Sequence, residues 1–556
     1  AIDKMTTGHG KGLKVAAMNG LQLQGLEEMG VKVKADEPFR QLMQRIKEAG
    51  AMTFAIPSNI HAELRPYQVQ GYQWMSRLAH WGAGACLADD MGLGKTLQAI
   101  TLMQSRAARG PQLVLMPTSV LHGWQQELQR FAPALTVKVL NSATSLSTPI
   151  SPISPIGPIS PISPISPSSP STPPKSASRQ QLIAEAAEGD VVLSTYGLLV
   201  TEKELFATRT WATIVLDEAH TIKNRDTQTS QSAMQLKGDF RLLLTGTPLQ
   251  NHLSEIWNLF QFANPGLLGS YQQFTDRFIM PIERDHDQER QRLLRRLLSP
   301  FLLRRTKDEV LSELPEKTEI TLRVELSTDE QALYDNLRQQ AIANLESAGQ
   351  KGAIQALAEI TRLRQAACHP RLVNPKLDIP SSKTKAFLDL VAQLRQSGHR
   401  ALVFSQFTSH LALIRQALDE GAETAYLYLD GSTPPQERDR LVREFQTGDA
   451  PLFLISLKAG GLGLNLTAAD FVIHLDPWWN PAIEDQASDR AYRIGQERPV
   501  TVYRLIAAGT IEEKILRLHG TKRSMADALL QDAELSGQIT ADDIVRLLRE
   551  SADALS

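Results

Sequence analysis

The sequence predicts an α/β fold with two lobes, each built on a parallel sheet, and with mostly helical sequence, about 251–398, between them. Two series of short apolar runs support this prediction. Each run is followed by polar or Gly-rich residues and then by a helix-like stretch, which is the pattern of parallel strands with crossover helices. The runs of the first series are 112–116, 135–140, 190–195, 212–217 and 241–245. The runs of the second series are 400–404, 424–429, 451–455, 470–474 and 500–506.

The composition is that of a globular protein and excludes several classes. The chain has 556 residues, 42% hydrophobic and 22% charged, which is enough to form several cores. Its 59 Lys and Arg residues nearly balance 61 Asp and Glu residues. The formal net charge of −2 therefore excludes a generally basic nucleic-acid binder and leaves a local basic groove open.

The lengths of the apolar runs and the number of cysteines indicate the cellular compartment. No apolar run approaches the roughly 18 residues that span a bilayer, so we expect no membrane partner. The two cysteines, Cys86 and Cys368, cannot form a disulfide framework or a structural zinc site alone. This usage favours a reducing compartment, and a cytoplasmic, nucleoid-associated location if the protein is bacterial.

One low-complexity segment, 144–178, interrupts the first lobe. Residues 149–174 read PISPISPIGPISPISPISPSSPSTPP, with a proline at 149 and at every third position through 173. Polyproline II has three residues per turn, so this spacing puts the prolines on one edge, and the segment lacks the backbone donors to join a sheet. We interpret it as a solvated insertion; a proline-rich tether for a partner is the alternative.

These patterns divide the chain into five predicted regions. In chain order they are an upstream remnant (1–55), the first lobe (56–265), a helical region (266–380), the second lobe (381–508) and a helical tail (509–556). The first region is Gly-rich and starts without an initiator Met, which suggests a fragment of a longer protein.

A glycine-rich turn follows a strand-like run at 84–88 and predicts a phosphate site. Residues 89–96 read DDMGLGKT, where backbone N–H groups can point at phosphate oxygens. Lys95 supplies a positive charge for the β- and γ-phosphates, and Thr96 offers a hydroxyl ligand to Mg²⁺. The strict pattern has Gly where this chain has Asp89, so a Gly-rich surface turn is the alternative. The predicted ATP-binding residues of this turn are Asp89, Asp90, Met91, Gly92, Leu93, Gly94, Lys95 and Thr96.

Two carboxylates end a buried-strand pattern further along the same series. Residues 214–220 read IVLDEAH. Asp217, at the carboxyl end of the strand, is placed to hold Mg²⁺ directly or through water. Glu218 can then orient and deprotonate the attacking water. Together with the turn at 89–96, this element predicts ATP binding.

With these two motifs, the chain resembles the helicase-like superfamily two, and more narrowly the SWI/SNF-type remodelling ATPases, including the bacterial HepA/RapA type. The resemblance covers about residues 60–530. The blocks that carry it are LRPYQVQG (64–71), VLMPTSVLHGW (114–124), STYGLL (194–199), LLLTGTPLQN (242–251), PFLLRRTKDEV (300–310), LRQAACHP (363–370), LVFSQF (402–407), LDGST (429–433), ISLKAGGLGLNLTAAD (455–470) and DQASDRAYRIGQ (485–496). Asp90 stands where many members carry Glu.

The resemblance implies two RecA-like parallel-sheet lobes of the P-loop NTPase type, with helical insertions between them. It implies a monomeric ATP- and Mg²⁺-dependent motor that tracks along double-stranded DNA without separating the strands and acts on a protein–DNA complex. It also implies that Gln68 reads the adenine edge. A strand-separating DNA or RNA helicase and an ATP-gated DNA-binding scaffold are the alternatives.

Arg490 and Arg493 lie far along the chain from Lys95. They follow Asn480-Pro481, a plausible helix start, and their spacing of three predicts one shared helix face. By resemblance they are arginine fingers that reach the γ-phosphate from the second lobe. The alternative is a pair of helix arginines satisfied by solvent, Asp485 or Asp489.

A basic stretch and several further residues predict a nucleic-acid track. The stretch 290–307 has seven basic residues and no acidic one, and its leucines can pack inward while Arg295 and Arg296 face out. A solvated helix face is the alternative. By block position, Thr118, Trp124 and Lys458 are further candidates, and Trp479 is either a wedge against a DNA strand or a core residue. None of these residues reads bases, so binding is expected to be sequence-independent.

Overall fold

The structure is a computed structural model that describes residues 37–140, 175–246, 253–285, 287–311, 314–348, 353–421, 424–460 and 464–517. The proline-rich run at 149–174, most of the predicted upstream remnant and most of the predicted tail lie outside these ranges. Within them, no helix combines the length and the apolar character needed to cross a membrane.

The first lobe is built on a seven-stranded parallel sheet, as the first series of apolar runs predicts. In chain order the strands are β1 (Ala85–Leu87), β2 (Gln112–Met116), β3 (Thr136–Val139), β4 (Asp190–Thr195), β5 (Thr210–Trp211), β6 (Thr213–Leu216), β7 (Lys237–Gly238), β8 (Arg241–Leu244) and β9 (Leu302–Leu303). The sheet order is β3-β4-β2-β6-β8-β1-β9, while β5 and β7 form a small pair of their own. Strands β1 and β6 therefore end at the same edge, with only β8 between them, and that edge is where ligands bind in such sheets.

Helices cover the two faces of this sheet. They are α1 (Glu37–Ala51), α2 (Pro66–Trp81), α3 (Lys95–Ser105), α4 (Leu121–Phe131), α5 (Lys175–Ala184), α6 (Tyr196–Thr201), α7 (Lys203–Ala207), α8 (Gln228–Met234) and α9 (Leu253–Ala263). Helix α2 begins with Pro66 at its first position, where the missing N–H costs nothing, and ends at Gly82 with φ +85°. Because β2 and β6 are buried along their whole length, they read as continuous apolar runs.

The region between the lobes is mostly helical, as predicted, but it also contributes two strands. Its helices are α10 (Tyr271–Phe274), a π-helix (Thr275–Arg284), α11 (Gln288–Leu298), α12 (Lys307–Val310), α13 (Thr328–Ala348) and α14 (Ala353–Cys368). The sequence does not predict β9, which is only two residues long, or β10 (Lys317–Val324), an edge strand whose residues are mostly exposed. Strand β9 is too short and β10 alternates polar with apolar residues, so the pattern of longer apolar runs used for the other strands does not detect them.

The second lobe is a six-stranded parallel sheet, confirming the second series. After β10 come β11 (Ala401–Ser405), β12 (Tyr426–Leu429), β13 (Leu452–Ser456), β14 (Phe471–His474) and β15 (Val500–Ala507), in the sheet order β10-β15-β14-β11-β13-β12. The helices are α15 (Ser382–Gln396), α16 (Thr408–Gly421), α17 (Pro435–Thr447), α18 (Leu457–Gly460) and α19 (Pro481–Ser488). Ile511 and Ile515, in the described part of the tail, pack with α13 and α14.

Candidate active site

The loop formed by residues 89–96, called the nucleotide loop below, connects β1 to α3. Gly92 and Gly94 have φ values of +86° and +71°, which only glycine adopts without strain. The Lys95 Nζ donates hydrogen bonds to the carbonyl oxygens of Asp89, at 2.6 Å, and Asp90, at 3.1 Å. Burial lowers the pKa of Lys95, and the carboxylates around it, Glu218 first, oppose that shift. The loop thus curls around an ammonium group at the start of a helix, where an anion is favoured.

The side chains of Asp89 and Asp90 are bonded to protein and not directed into the loop. Asp89 is fully buried and forms an ion pair with Arg305, whose Nε lies 2.9 Å from Asp89 Oδ1. The Oδ2 of Asp90 accepts from the Lys307 backbone N–H at 3.1 Å, and burial raises the pKa of this carboxyl. Any contact that these two residues make with phosphate therefore involves their backbone.

Gln68 supports the same loop from α2. Its Oε1 accepts from the Arg65 N–H at 3.0 Å, and its Nε2 donates to the Leu93 carbonyl oxygen at 3.2 Å. A Cβ at Gly94 would lie only 2.4 Å from Gln68 Nε2, so the glycine permits this close approach. Reading of adenine by Gln68 stays a prediction.

Asp217 and Glu218 follow β6 at the same edge of the sheet. The Trp124 indole N–H donates to Asp217 Oδ2 at 2.7 Å, and the Glu218 N–H donates to Asp217 Oδ1 at 2.9 Å. Burial, with the neighbouring charge of Glu218, raises the pKa of Asp217 to about 6. Two hydrogen bonds thus hold this carboxylate, and the charge of Lys95 only partly offsets the effect of burial on its pKa.

Glu218 is the one described non-glycine residue in the left-handed backbone region, with φ +47°. Such a conformation costs on the order of 1–3 kcal/mol and is found mainly at functional sites. Glu218 Oε2 lies 3.3 Å from His220 Nδ1, and Glu218 Oε1 accepts from Gln486 Nε2, of the second lobe, at 3.4 Å. Burial opposes ionisation, but His220, Lys95 and Arg490 outweigh it and lower the pKa of Glu218. Of the two carboxyls, Glu218 is the one that stays ionised.

The predicted helix before the arginines exists but ends too early. Asn480 caps α19, its Oδ1 accepting from the Ala482 N–H at 3.2 Å, and Pro481 is the first helical residue. The helix stops at Ser488, and residues 489–495, called the arginine turn below, form successive turns. The prediction that Arg490 and Arg493 share a helix face is therefore wrong.

The arginine turn nevertheless lies against the nucleotide loop. Arg490 is 6% exposed, and its Nη2 lies 3.8 Å from Met91 Sδ. A Cβ at Gly92 would come within 2.8 Å of Arg493 Cβ. Burial and the charge of Arg493 lower the pKa of Arg490 to about 10, and its Nε has no hydrogen-bond partner within the described ranges. The structure thus brings the loop, the acidic pair and both arginines to one place between the lobes.

The predicted nucleic-acid residues divide into two groups. Helix α11 buries Leu294, Leu297 and Leu298 and exposes Arg295 and Arg296, as predicted. Thr118 and Lys458 are also exposed.

Trp124 and Trp479 behave differently. The prediction that Trp124 contacts nucleic acid is wrong, because the side chain is 2% exposed and its N–H is bonded to Asp217. Trp479 is partly buried and packs beside α13 and α14, with the Arg364 guanidinium 5.8 Å from its ring centroid. This packing agrees with the core interpretation of Trp479.

Two residues of the site were missed by sequence reasoning. Arg305 and Lys307 are two of the seven basic residues in the stretch 290–307, which is predicted as a whole to offer a phosphate-facing strip. Instead both turn inward, Arg305 to Asp89 and Lys307 to Asp489, at 2.6 Å. Their partners are distant in sequence, so the only signal was their place in a block shared with the resembled family.

A separate buried cluster contains Cys368, His410 and Asp476, whose ligand atoms lie within 4.8 Å of one another. The charges of Lys383 and Arg364 act on this cluster. The Asp476 carboxylate accepts from the Ser405 hydroxyl, and Lys383 is paired with Glu512 at 2.5 Å, so protein groups already bond this carboxylate and this ammonium.

Fold and site together define a two-lobed protein of the nucleotide-binding class, in which the nucleotide loop and the arginine turn come from different lobes. The SNF2-related domain matches residues 67–372, and the helicase conserved C-terminal domain matches residues 382–495. The chain belongs to the SNF2-related family. These matches do not distinguish the HepA/RapA type, which stays a prediction.

Individual relatives agree with this assignment. A putative ATP-dependent helicase/translocase, YwqA, of Bacillus subtilis is 38% identical over 538 residues, covering 94% of this chain and 55% of the relative. The human SWI/SNF-related matrix-associated actin-dependent regulator of chromatin subfamily A member 1 is 34% identical, covering 88% and 46%. The chain thus spans about half the length of these relatives. A Sulfolobus solfataricus SWI2/SNF2 ATPase core in complex with dsDNA is 33% identical, covering 86% of this chain and 96% of that one, with a TM-score of 0.42.

Proposed function

We propose that this chain is the motor of an ATP- and Mg²⁺-dependent translocase that tracks along double-stranded DNA. One observation carries the proposal. Lys95, the Asp217–Glu218 pair and the arginine turn, which belong to three separate stretches of sequence, converge between the two lobes. ATP hydrolysis needs these groups: a cation on the phosphates, a carboxylate for the water, and further cations for the charge of the transition state.

The chain's own residues account for the steps of hydrolysis. Lys95, which now bonds two carbonyl oxygens, would bind the β- and γ-phosphates, and the N–H groups of the nucleotide loop would hold their oxygens. Glu218, ionised and fixed by its backbone, would orient the attacking water and accept its proton. Arg490 and Arg493 would neutralise the charge that develops on the transferred group, an effect of roughly 10³–10⁵ in rate.

The residues fit Mg²⁺. The Thr96 hydroxyl and the Asp217 carboxylate are oxygen ligands of the kind that Mg²⁺ prefers. Burial and the charge of Glu218 raise the pKa of Asp217, and a bound cation would favour its ionised form. When bound, Mg²⁺ neutralises charge on the phosphate oxygens.

Hydrolysis would then be linked to contact between the lobes, because Lys95 and the arginines belong to different lobes. ATP favours the arrangement in which both sets of cations reach it, and loss of the γ-phosphate removes that preference. An alternation of this kind is what a motor requires.

Duplex DNA is the proposed track. The exposed Arg295, Arg296, Thr118 and Lys458 offer phosphate contacts, which carry no sequence information. The relatives' names, a helicase/translocase and a regulator of chromatin, support a motor that acts on a protein–DNA complex. We propose that the motor works as a monomer, with residues 56–265 and 381–508 as its lobes, and at the nucleoid if it is bacterial.

The decisive experiment compares ATP hydrolysis in the presence of duplex DNA, single-stranded DNA, RNA and a DNA–RNA hybrid. Duplex DNA should stimulate turnover most, and the protein should displace a triplex-forming strand while failing to unwind a fork. Unwinding of the fork would identify a helicase. If no nucleic acid stimulates ATP hydrolysis, the proposal is overturned, and an ATP-gated DNA-binding scaffold is the remaining alternative.

A further inference from the structure

A single lysine connects the nucleotide loop to the arginine turn. The Nζ of Lys307 donates to Asp489 Oδ1 at 2.6 Å and to the carbonyl oxygen of Tyr492, and it lies 4.9 Å from the centroid of the Tyr492 ring. The lysine is 5% exposed. Its two partners immediately precede Arg490 and Arg493 in the sequence, so one ammonium group holds the backbone on which both arginines stand.

The other end of Lys307 is built into the first lobe. Its backbone N–H donates to Asp90 Oδ2 at 3.1 Å. The segment before it continues the pairing of β9 with β1, because the Asp90 N–H donates to the Arg305 carbonyl oxygen at 2.9 Å. Arg305 then binds the Asp89 carboxylate. Lys307 is therefore fixed relative to the nucleotide loop and reaches across to the second lobe.

A second contact between a basic and an acidic side chain of the two lobes provides a comparison. His122 Nε2 of α4 lies 3.3 Å from Asp439 Oδ2 of α17, and both side chains are about half exposed. Exposed pairs contribute little, whereas removing one member of a buried pair leaves an uncompensated charge. The Lys307–Asp489 pair can therefore influence the geometry of the site in a way that the His122–Asp439 pair cannot.

We propose that Lys307 is a positioning residue that sets the arginine turn over the nucleotide loop when the lobes meet. The proposal rests on the function proposed above and adds a residue to it. Lys307 does not touch the phosphates; it acts through Asp489 and the Tyr492 carbonyl, so that the two guanidinium groups arrive in a fixed position. A displacement of about 1 Å at a reacting centre can cost about 10²-fold in rate.

The test uses Lys307→Met, Asp489→Asn and the double variant, with Asp439→Asn as the control that removes the exposed pair. Duplex-stimulated ATP hydrolysis is measured as kcat and KM, and ATP binding by fluorescent-nucleotide titration. We expect kcat to fall roughly 10- to 100-fold in each single variant while ATP binding changes less than threefold. The double variant should be no slower than the slower single one, because both changes break the same contact.

Two further measurements separate this proposal from its rivals. Lys307→Arg should recover part of kcat, since it keeps a cation there, whereas a defect of folding alone would appear as a lower melting temperature and a lower active fraction. If the parent protein hydrolyses ATP with DNA but Lys307→Met and Asp489→Asn match Asp439→Asn, the positioning role is overturned and the motor stands. If the parent is inactive with every nucleic acid, the motor itself fails. In that case the role of Lys307 is tested by fluorescence energy transfer between labels on the two lobes. The proposal predicts that ATP brings the lobes together less in Lys307→Met than in Asp439→Asn. An equal approach in both variants overturns the positioning role.

Discussion

The nucleotide loop and the arginine turn face each other, but they are held in different ways. In the loop, the polar groups have partners inside the first lobe: Lys95 on two carbonyl oxygens, Asp89 on Arg305, and Gln68 on the Leu93 carbonyl. These hydrogen bonds and the ion pair do not involve the second lobe.

The arginine turn, in contrast, has partners in both lobes. Arg490 touches Met91 across the interface, and Arg493 Nη1 donates to the Leu464 carbonyl oxygen at 3.3 Å. Lys307 of the opposite lobe binds the turn itself. The polar groups of the loop are thus bonded within one lobe, whereas the turn combines bonds within the second lobe, such as that from the Leu466 N–H to the Arg490 carbonyl oxygen at 3.0 Å, with a bond from Lys307 of the first. The loop is preorganised for binding, and contact between the lobes brings the arginines to it, which suits groups needed only in the transition state.

The largest effect should come from Arg490→Ala. Loss of one transition-state cation should reduce duplex-stimulated turnover roughly 10³- to 10⁵-fold, while ATP still binds to the preorganised loop. Lys95→Ala, in contrast, should strongly weaken the binding of ATP. Fluorescent-nucleotide titration and phosphate release measure the two properties. Normal turnover in Arg490→Ala would show that the arginine turn does not stabilise the transition state, and its role would then not differ from that of the loop as we describe it.

Glu218→Gln should reduce turnover roughly 10²- to 10⁴-fold, because the amide cannot accept the proton of the attacking water. ATP should remain bound and unhydrolysed, and the lobes should stay together. Filter binding of labelled ATP after long incubation checks this, with the exposed Asp226→Asn as the control. Hydrolysis at the parental rate would show that Glu218 is not the base.

A pH-dependent effect should follow from Asp217. Its pKa is raised from 3.8 to about 6 in the folded, metal-free protein, so the folded state binds more protons than the unfolded state between these values. The contribution of this group to the free energy of unfolding therefore decreases as pH rises through that range. Asp217→Asn removes this dependence, so its melting temperature relative to the parent should rise by a few degrees between about pH 4 and pH 7.

Mg²⁺ provides the control for that measurement. At neutral pH it should raise the melting temperature of the parent and leave that of Asp217→Asn nearly unchanged, because the variant lacks the carboxylate ligand. An equal increase in the melting temperature of both proteins would show that Asp217 is not a ligand of Mg²⁺.

The smallest effect should come from α11. Arg295→Ala with Arg296→Ala should reduce the slope of log K against log[salt] for duplex binding by about 1–2, with similar losses for unrelated sequences. Lys203→Ala with Lys237→Ala, which removes two exposed lysines elsewhere on the first lobe, is the matched control. An unchanged slope in the α11 variant would leave its arginines as a solvated face.

The predictable parts of this molecule are those that neighbouring residues determine. The apolar runs at 112–116 and 400–404 form strands because burial on both faces requires continuous apolar sequence. The glycines of the nucleotide loop and the carboxylates after β6 were recognisable for the same local reason.

The unpredicted parts depend on distant partners. Arg305 pairs with Asp89 across 216 positions, and Lys307 with Asp489 across 182. No spacing rule reports such pairs. The end of α19 was also misjudged, since the spacing of Arg490 and Arg493 suits a helix, whereas the chain turns toward the other lobe after Ser488.

The placement of β9 and β10 limits how far the halves of the molecule can travel. Leu303 ends a strand in the first sheet, and Lys317 begins one in the second, so the chain passes from one sheet to the other within fourteen residues. Even fully extended, that span reaches at most about 50 Å. The connection is therefore a short covalent tether, which keeps the two sheets at a high effective concentration. Each closure of the molecule is an intramolecular event and does not require diffusion from solution.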